Sequence, residues 1–304
     1  MIAAAVLAAL AATCAVAAWR LTLARWTSRA PRTAILLWQA LGLTWGLAFT
    51  GALLAYALQP YRQGVIFGLA TFAAALDHGL REPYDVIRLG ALVTGLSLLL
   101  VLMALPLAAG AQTLRARHRH RALLALIARD EPAVPGVRVV DFPAAAAYCV
   151  PGLRSQVVIS DGTISLLSPG ELEAVLAHES AHVRERHDLV LLPFAALRRA
   201  LPWSKLVRDA QSSVELLVEM AADDRARRQC CPRRLATALL RFGSAAALPT
   251  PQGALGASAA ANVMARVDRL VRPEGAIPAG HRFLILTGSV LLAASAPLLW
   301  LIPH

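Results

Sequence analysis

The sequence predicts a mainly α-helical membrane protein that carries one water-exposed α+β domain. Hydrophobic residues make up 57% of the 304 residues and charged residues only 16%, whereas soluble domains carry about 25% charged residues. Four segments are apolar over about the 20 residues that a helix needs to cross a bilayer. A long, more polar stretch, 112–282, separates the third segment from the fourth and is long enough to fold as a domain.

The four apolar segments divide the chain into three predicted domains: 1–111 with three spans, 112–282, and 283–304 with the fourth span. No basic residue precedes the first segment, as one would in a signal peptide, so we expect a retained span. Val65–Leu76 is apolar but short, which is typical of a re-entrant or interfacial segment. The predicted spans are Ile2–Ala18, Ala34–Leu58, Leu89–Ala111 and Phe283–Ile302.

The arginines beside these spans predict the orientation of the chain in a cell membrane. They follow the first and third spans and precede the fourth: Arg20, Arg25, Arg29, Arg32, Arg115, Arg117, Arg119, Arg121 and Arg282. Because positive residues stay on the cytosolic side, we expect an outside N-terminus and a cytosolic 112–282 domain. The same flanking arginines account for the net charge of +11, so we expect a lipid partner and no direct nucleic-acid partner.

The four cysteines, Cys14, Cys149, Cys230 and Cys231, predict neither a disulfide framework nor a zinc ribbon. No two of them have the CxxC spacing that such sites use, and the adjacent pair cannot easily chelate one metal. We therefore expect reduced thiols.

The cytosolic domain begins with a predicted basic helix, Leu114–Arg129. Short apolar runs between Pro and Gly turns then predict three strands, Val137–Phe142, Ala146–Val150 and Gln156–Ser160. Ser168, Pro169 and Glu171 form a helix start with a capping box. We expect this helix to run through VLAHESAHVRERHD, residues 175–188. A turn at Leu201–Trp203 leads to a second helix containing VELLVEMAADDRA, and Pro249–Ala261 has the composition of a mobile loop.

The first of these two helices carries the motif HESAH. His178 and His182 are four residues apart, so one helix face offers both imidazoles to one metal ion. Glu179 lies beside them, where a carboxylate can take a proton from an activated water and pass it to a leaving amine. The alternative, a solvated helix with two incidental histidines, fits poorly because the flanking residues are apolar. The motif therefore predicts one Zn²⁺ per chain and a hydrolytic site.

A hydrolytic zinc site needs a third protein ligand and an open position. Glu219, on the second helix, is the preferred third ligand, and Asp223 lies one turn on, placed to fix the tautomer of a ligating histidine. Glu215 and Asp188 stay open as rival ligands. Glu185 replaces the glycine that a sharp turn before Asp188 would require, and His187 lies off the face of the two histidines.

HESAH, EMAAD and LSPGELEAVLAHE together resemble the M56 family of membrane-embedded zinc metallopeptidases, which contains the protease module of the BlaR1/MecR1 antibiotic sensors. The resemblance implies a zincin-like (gluzincin) domain with a small sheet and an HExxH helix. It implies that His178, His182 and Glu219 bind zinc, that Glu179 is the base, and that Asp223 and Arg266 support the site.

The resemblance also implies a substrate strand and a substrate. Val157, Val158 and Ile159 resemble the edge strand on which such enzymes lay an extended peptide. The substrate would be a cytosolic protein or peptide, for example a transcriptional repressor of the BlaI/MecI type. The antibiotic sensors continue into an extracellular penicillin-binding domain, whereas this sequence ends at His304, so we expect no direct antibiotic sensing.

Two other functions stay open. The HtpX/Ste24-like M48 quality-control peptidases share HExxH and ExxxD, but they place membrane spans between the two motifs, and only Leu189–Leu197 is apolar here. A catalytically inactive signalling scaffold would need a fourth zinc ligand, for which Cys149 is the nearest thiol.

Overall fold

The computed structural model describes residues 1–78, 86–130, 137–150, 156–245, 254–272 and 275–303, and these form two compact units. The first unit comprises Met1–Ala108, Ala196–Gln211 and Ile277–His304, and the second comprises Ala109–Ala195 and Ser212–Ala276. The domain boundaries expected at residues 111 and 282 stay predictions.

Helices dominate the described residues. The eleven α-helices that the described residues form are α1 (Ile2–Thr22), α2 (Pro31–Ala57), α3 (Val65–His78), α4 (Val86–Ile127), α5 (Asp161–Leu166), α6 (Pro169–Arg184), α7 (His187–Ala200), α8 (Lys205–Ala226), α9 (Pro232–Ala245), α10 (Ala254–Val271) and α11 (Ala279–Leu301).

Four helices of the described chain, α1, α2, α4 and α11, are long and apolar enough to cross a membrane. They coincide with the four predicted spans. Helix α3 is apolar but short, as expected for Val65–Leu76. In α4 the apolar segment and the basic segment form one 42-residue helix rather than a span followed by a separate helix.

Helix α2 is the central helix of the first unit. Of its most apolar window, 56% is buried, compared with 11–17% in the other three long apolar helices. Its residues Leu54, Ala55 and Ala57 share one core with Leu7 of α1 and Ala296 of α11. Small residues let neighbouring helices approach α2 closely, because a Cβ at Gly51 would lie 2.0 Å from the indole nitrogen of Trp300.

The second unit contains a four-stranded sheet: β1 (Ala128–Asp130), β2 (Val137–Val140), β3 (Ala147–Val150) and β4 (Gln156–Ser160). The strand order is β1-β2-β4-β3, with β2 and β4 parallel and the two outer pairs antiparallel. Three of these strands were predicted. β1, with the sequence ARD, was missed because it has no apolar alternation and forms only by pairing with β2.

The sheet lies between two helices because alternate side chains of β4 point to opposite faces. Ile159 packs against Leu172 and Leu176 of α6, whereas Val158 packs against Leu124 of α4. The prediction that Val157, Val158 and Ile159 form an edge strand is wrong. β4 lies in the interior, paired with β2 on one side and β3 on the other, and among the described strands β3 and β1 are the outer ones.

Helix α6 begins as predicted. The backbone N–H of Ser168 donates to Oε2 of Glu171 at 2.8 Å, and Pro169 occupies the first turn. Arg241 of α9 also donates to Oε2 of Glu171, at 2.9 Å, which ties the start of α6 to a neighbouring helix. The capping hydrogen bond, offset in part by burial, lowers the pKa of Glu171, and Arg241 adds to that lowering.

Two boundaries differ from the prediction. The helix expected through Asp188 ends at Arg184, because Arg186 adopts a left-handed backbone conformation with φ of 50° and α7 starts at His187. The loop expected at Pro249–Ala261 is helical from Ala254 onward, since its alanines favour helix, while residues 249–253 lie outside the described residues. The short helix α5 was not predicted at all.

Candidate metal centre

Two imidazoles of α6 face each other in the second unit. Nε2 of His178 lies 3.0 Å from Nε2 of His182, and the ring centroids are 4.7 Å apart. The four-residue spacing on one helix causes this arrangement. Two lone pairs at this distance would repel each other unless a proton or a cation lay between them. The two rings are therefore arranged to bind one proton or one cation together.

The carboxylate of Glu219 completes the cluster from α8. Its Oε2 lies 3.3 Å from Nε2 of His178, and its Oε1 lies 3.5 Å from Nε2 of His182. Within the described part of the chain, His178, His182 and Glu219 are the group whose ligand atoms all lie within 4.8 Å of one another. The rivals are not part of that group: Glu215 is exposed, and Asp188 lines the same cavity without belonging to the cluster.

This donor set fits zinc. Ligand atoms placed tetrahedrally at about 2.0–2.1 Å from an ion lie roughly 3.3 Å from one another. The three distances in the cluster, 3.0, 3.3 and 3.5 Å, bracket that value. Two imidazoles and one carboxylate are also a ligand set that hydrolytic zinc sites use.

Asp223 and Arg266 lie directly behind His178. Oδ1 of Asp223 is 3.0 Å from Nδ1 of His178. Arg266 donates two hydrogen bonds of 2.8 Å to Asp223, from Nε and Nη2, and its Nη1 lies 2.9 Å from Oε2 of Glu219. The guanidinium of Arg266 therefore contacts two carboxylates. Asp223 lies on the Nδ1 side of His178, and Glu219 lies on its Nε2 side.

Burial and these contacts set the protonation of the cluster. Burial favours a neutral His178, but the hydrogen bonds to Asp223 and Glu219 outweigh it and raise the pKa of His178 to about 9. Burial and the neighbouring His178 lower the pKa of His182 to about 4. Burial opposes ionisation of Glu219, yet the contacts with His178 and Arg266 lower its pKa to about 2. These contacts therefore favour the charged form of His178 and the neutral form of His182.

The cluster opens into a cavity of about 320 Å³. Glu179 lines this cavity beside both histidines, with its side chain half-buried. Ala147 and Tyr148 of β3 also line the cavity, whereas no residue of β4 is among its described lining residues. The remaining lining residues are Val183, His187, Asp188, Leu191, Val218 and Glu219.

His187, which the sequence interpretation placed off the face of the two histidines, is part of this site. It is buried, and its Nδ1 lies 2.9 Å from Nδ1 of His182. A continuous helix through residue 188 would place it off the face of the two histidines, but the break after Arg184 brings it back. The side chain of Cys149 lies outside the described part of the chain.

Residues 111–222 match the model of peptidase family M48. The matched region is a little over a third of the chain and includes HESAH and Glu219. No curated protein and no solved structure shows significant similarity to this chain. The match supports a zinc metallopeptidase family, but it does not select M56, the family that the motifs resemble.

Proposed function

We propose that this protein is an integral-membrane, zinc-dependent endopeptidase that cuts a protein or peptide on the cytosolic side. The convergence of His178, His182 and Glu219 on one point, with Glu179 at the wall of the same cavity, carries the proposal. The match to peptidase family M48 supports the reaction class.

Each residue has a definable task. His178, His182 and Glu219 would hold the ion, which supplies Lewis acidity toward a peptide carbonyl and lowers the pKa of water when bound. Glu179 accepts a proton from the attacking water and delivers it to the leaving amine. Asp223 orients the ring of His178, and Arg266 fixes both Asp223 and Glu219.

The structure favours β3 as the strand that receives an extended substrate. β3 is an outer strand of the described sheet, and its residues Ala147 and Tyr148 border the cavity. A peptide that paired with its free edge would run past Glu179 and the two histidines. The tyrosine side chain would then contact the substrate near the scissile bond.

Two substrate classes fit this site. The resemblance to M56 favours a single cytosolic target such as a repressor, and the absence of a candidate span between His182 and Glu219 agrees with it, since all residues of that interval are described. The match to peptidase family M48 is equally consistent with the HtpX/Ste24-like quality-control alternative. Cleavage at one site of one protein supports the first class, and degradation of several misfolded membrane proteins supports the second.

Replacement of Glu179 tests the activity. The zinc-loaded full chain in detergent is compared with Glu179→Gln on labelled casein, and we expect the rate to fall by about 10²–10⁴-fold. Zinc content should stay at one ion per chain, because Glu179 is not one of the clustered ligands.

The matched control is Glu173→Gln, which neutralises an exposed glutamate of the same helix and should cleave like the wild type. Removal of zinc by a chelator should abolish cleavage, and added zinc should restore it. Equal rates for wild type and Glu179→Gln would contradict the proposed mechanism.

A further inference from the structure

The helical path breaks directly after the HESAH helix, and the residue that follows this turn is a third, buried histidine. Arg186 holds a left-handed conformation with φ of 50°, which is unfavourable for a residue that has a Cβ. Its N–H donates to the carbonyl of Val183 at 3.2 Å, and α7 begins at the next residue. The turn leaves the side chain of His187 only 4% exposed.

The contact between His187 and His182 has a defined chemistry. Their Nδ1 atoms are 2.9 Å apart, so one of the two nitrogens must donate a hydrogen bond to the other. Nε2 of His182 faces Nε2 of His178 and Glu219, where a metal ligand must present a lone pair. A neutral His182 whose Nε2 is unprotonated carries its proton on Nδ1. His182 is therefore the donor, and Nδ1 of His187 is the acceptor.

The remaining proton of His187 then has to lie on Nε2. This nitrogen is 3.5 Å from Oε2 of Glu185, a carboxylate whose negative charge favours an N–H at this position. Oε1 of the same carboxylate lies 3.4 Å from Nη1 of Arg225 on α8. These contacts form a polar chain that runs from Arg225 through Glu185 and His187 to Nδ1 of His182.

We propose that His187 is a positioning residue that fixes the tautomer and ring orientation of His182 for metal binding. This inference rests on the proposed zinc site and adds a specific support for its second ligand. His178 has an acidic support, Asp223 held by Arg266, whereas His182 has a neutral histidine held by Glu185. Each imidazole therefore has its own partner behind it.

Zinc affinity of the full chain in detergent, measured by competition with a fluorescent chelator, tests this role without any substrate. His187→Phe keeps a ring of similar size but removes the acceptor, and it should weaken zinc binding by about 10–100-fold. His187→Asn keeps an acceptor near the position of Nδ1 and should recover most of this loss. Glu185→Gln, which acts one step further away, should weaken binding only a few-fold.

His118→Phe is the matched control, because it removes an exposed histidine of the same unit and should leave zinc affinity unchanged. Zinc-loaded protein with ¹⁵N-labelled histidine should show His182 protonated at Nδ1 and bound to zinc through Nε2. Zinc affinity of His187→Phe within twofold of wild type, or coordination of His182 through Nδ1, would overturn the positioning role while leaving the zinc site intact. A wild-type chain that binds no zinc would overturn both proposals.

Discussion

The two compact units of this chain use their polar side chains differently. In the first unit, hydroxyl groups such as those of Thr13 and Ser289 donate to a carbonyl one turn back in their own helix. In the second unit, charged side chains join different helices, as Arg266 does with Asp223 and Arg241 with Glu171. Close side-chain packing therefore holds the helices of the first unit together, whereas a few charged pairs fix the positions of the helices in the second unit. A single lost charge should disturb the second unit more than any single hydroxyl disturbs the first.

The largest effect is expected at Asp223. Asp223→Ala leaves the buried guanidinium of Arg266 without its bidentate partner, and loss of one member of a buried pair costs about 3–5 kcal/mol. Chemical unfolding followed by far-UV circular dichroism measures the change. Asp224→Ala is the matched control, because its pair with Arg269 is as short, at 2.8 Å, but less buried. A loss of stability at Asp223 no larger than that at Asp224 would contradict the weight given to the more buried charged pair.

A smaller effect is expected from a methyl group in the first unit. Gly51→Ala places a Cβ 2.0 Å from the indole of Trp300, and the repacking should cost about 1–3 kcal/mol. Gly42→Ala is the control on the same helix, since nothing lies within 4 Å of its added Cβ. All six tryptophans belong to the first unit, so tryptophan fluorescence reports its unfolding. Equal stability of the two variants would show that α2 and α11 are not closely packed.

The smallest effect is expected from a hydroxyl contact between two helices of the first unit. Thr44 donates to the carbonyl of Leu292 at 2.9 Å and is fully buried. Thr44→Val keeps the shape and removes this bond, which should cost about 0.6 kcal/mol between apolar helices. Thr13→Val removes only a bond within α1 and should change the stability even less. A loss of unfolding free energy for Thr44→Val as large as that for Asp223→Ala would contradict the role assigned to side-chain packing in the first unit.

Local patterns predicted the parts of the site that depend on helix periodicity. The capping box at Ser168 and the four-residue spacing of His178 and His182 are properties of one helix, and the structure shows both. The spacing between helices left room for Glu219 to approach the histidines, and it lies within 3.5 Å of both Nε2 atoms.

The sequence patterns did not predict features that depend on contacts between distant segments. The order of the strands depends on which strand pairs with which, and the interior position of β4 follows from a parallel pairing with β2 that no local pattern encodes. The break after Arg184 escaped for another reason: RERH contains no glycine or proline, and Arg186 takes a conformation that its residue type disfavours. His187 became visible only once that turn was known.

The position of the metal is the most direct test of the central claim. In a crystal of the zinc-loaded Glu179→Gln chain, an anomalous difference map at the zinc absorption edge should show one strong peak. We expect it at about 2.0–2.2 Å from Nε2 of His178, Nε2 of His182 and the carboxylate of Glu219, with no fourth protein ligand. A peak that excludes Glu219, or one closed by a fourth side chain, would contradict a hydrolytic zinc site.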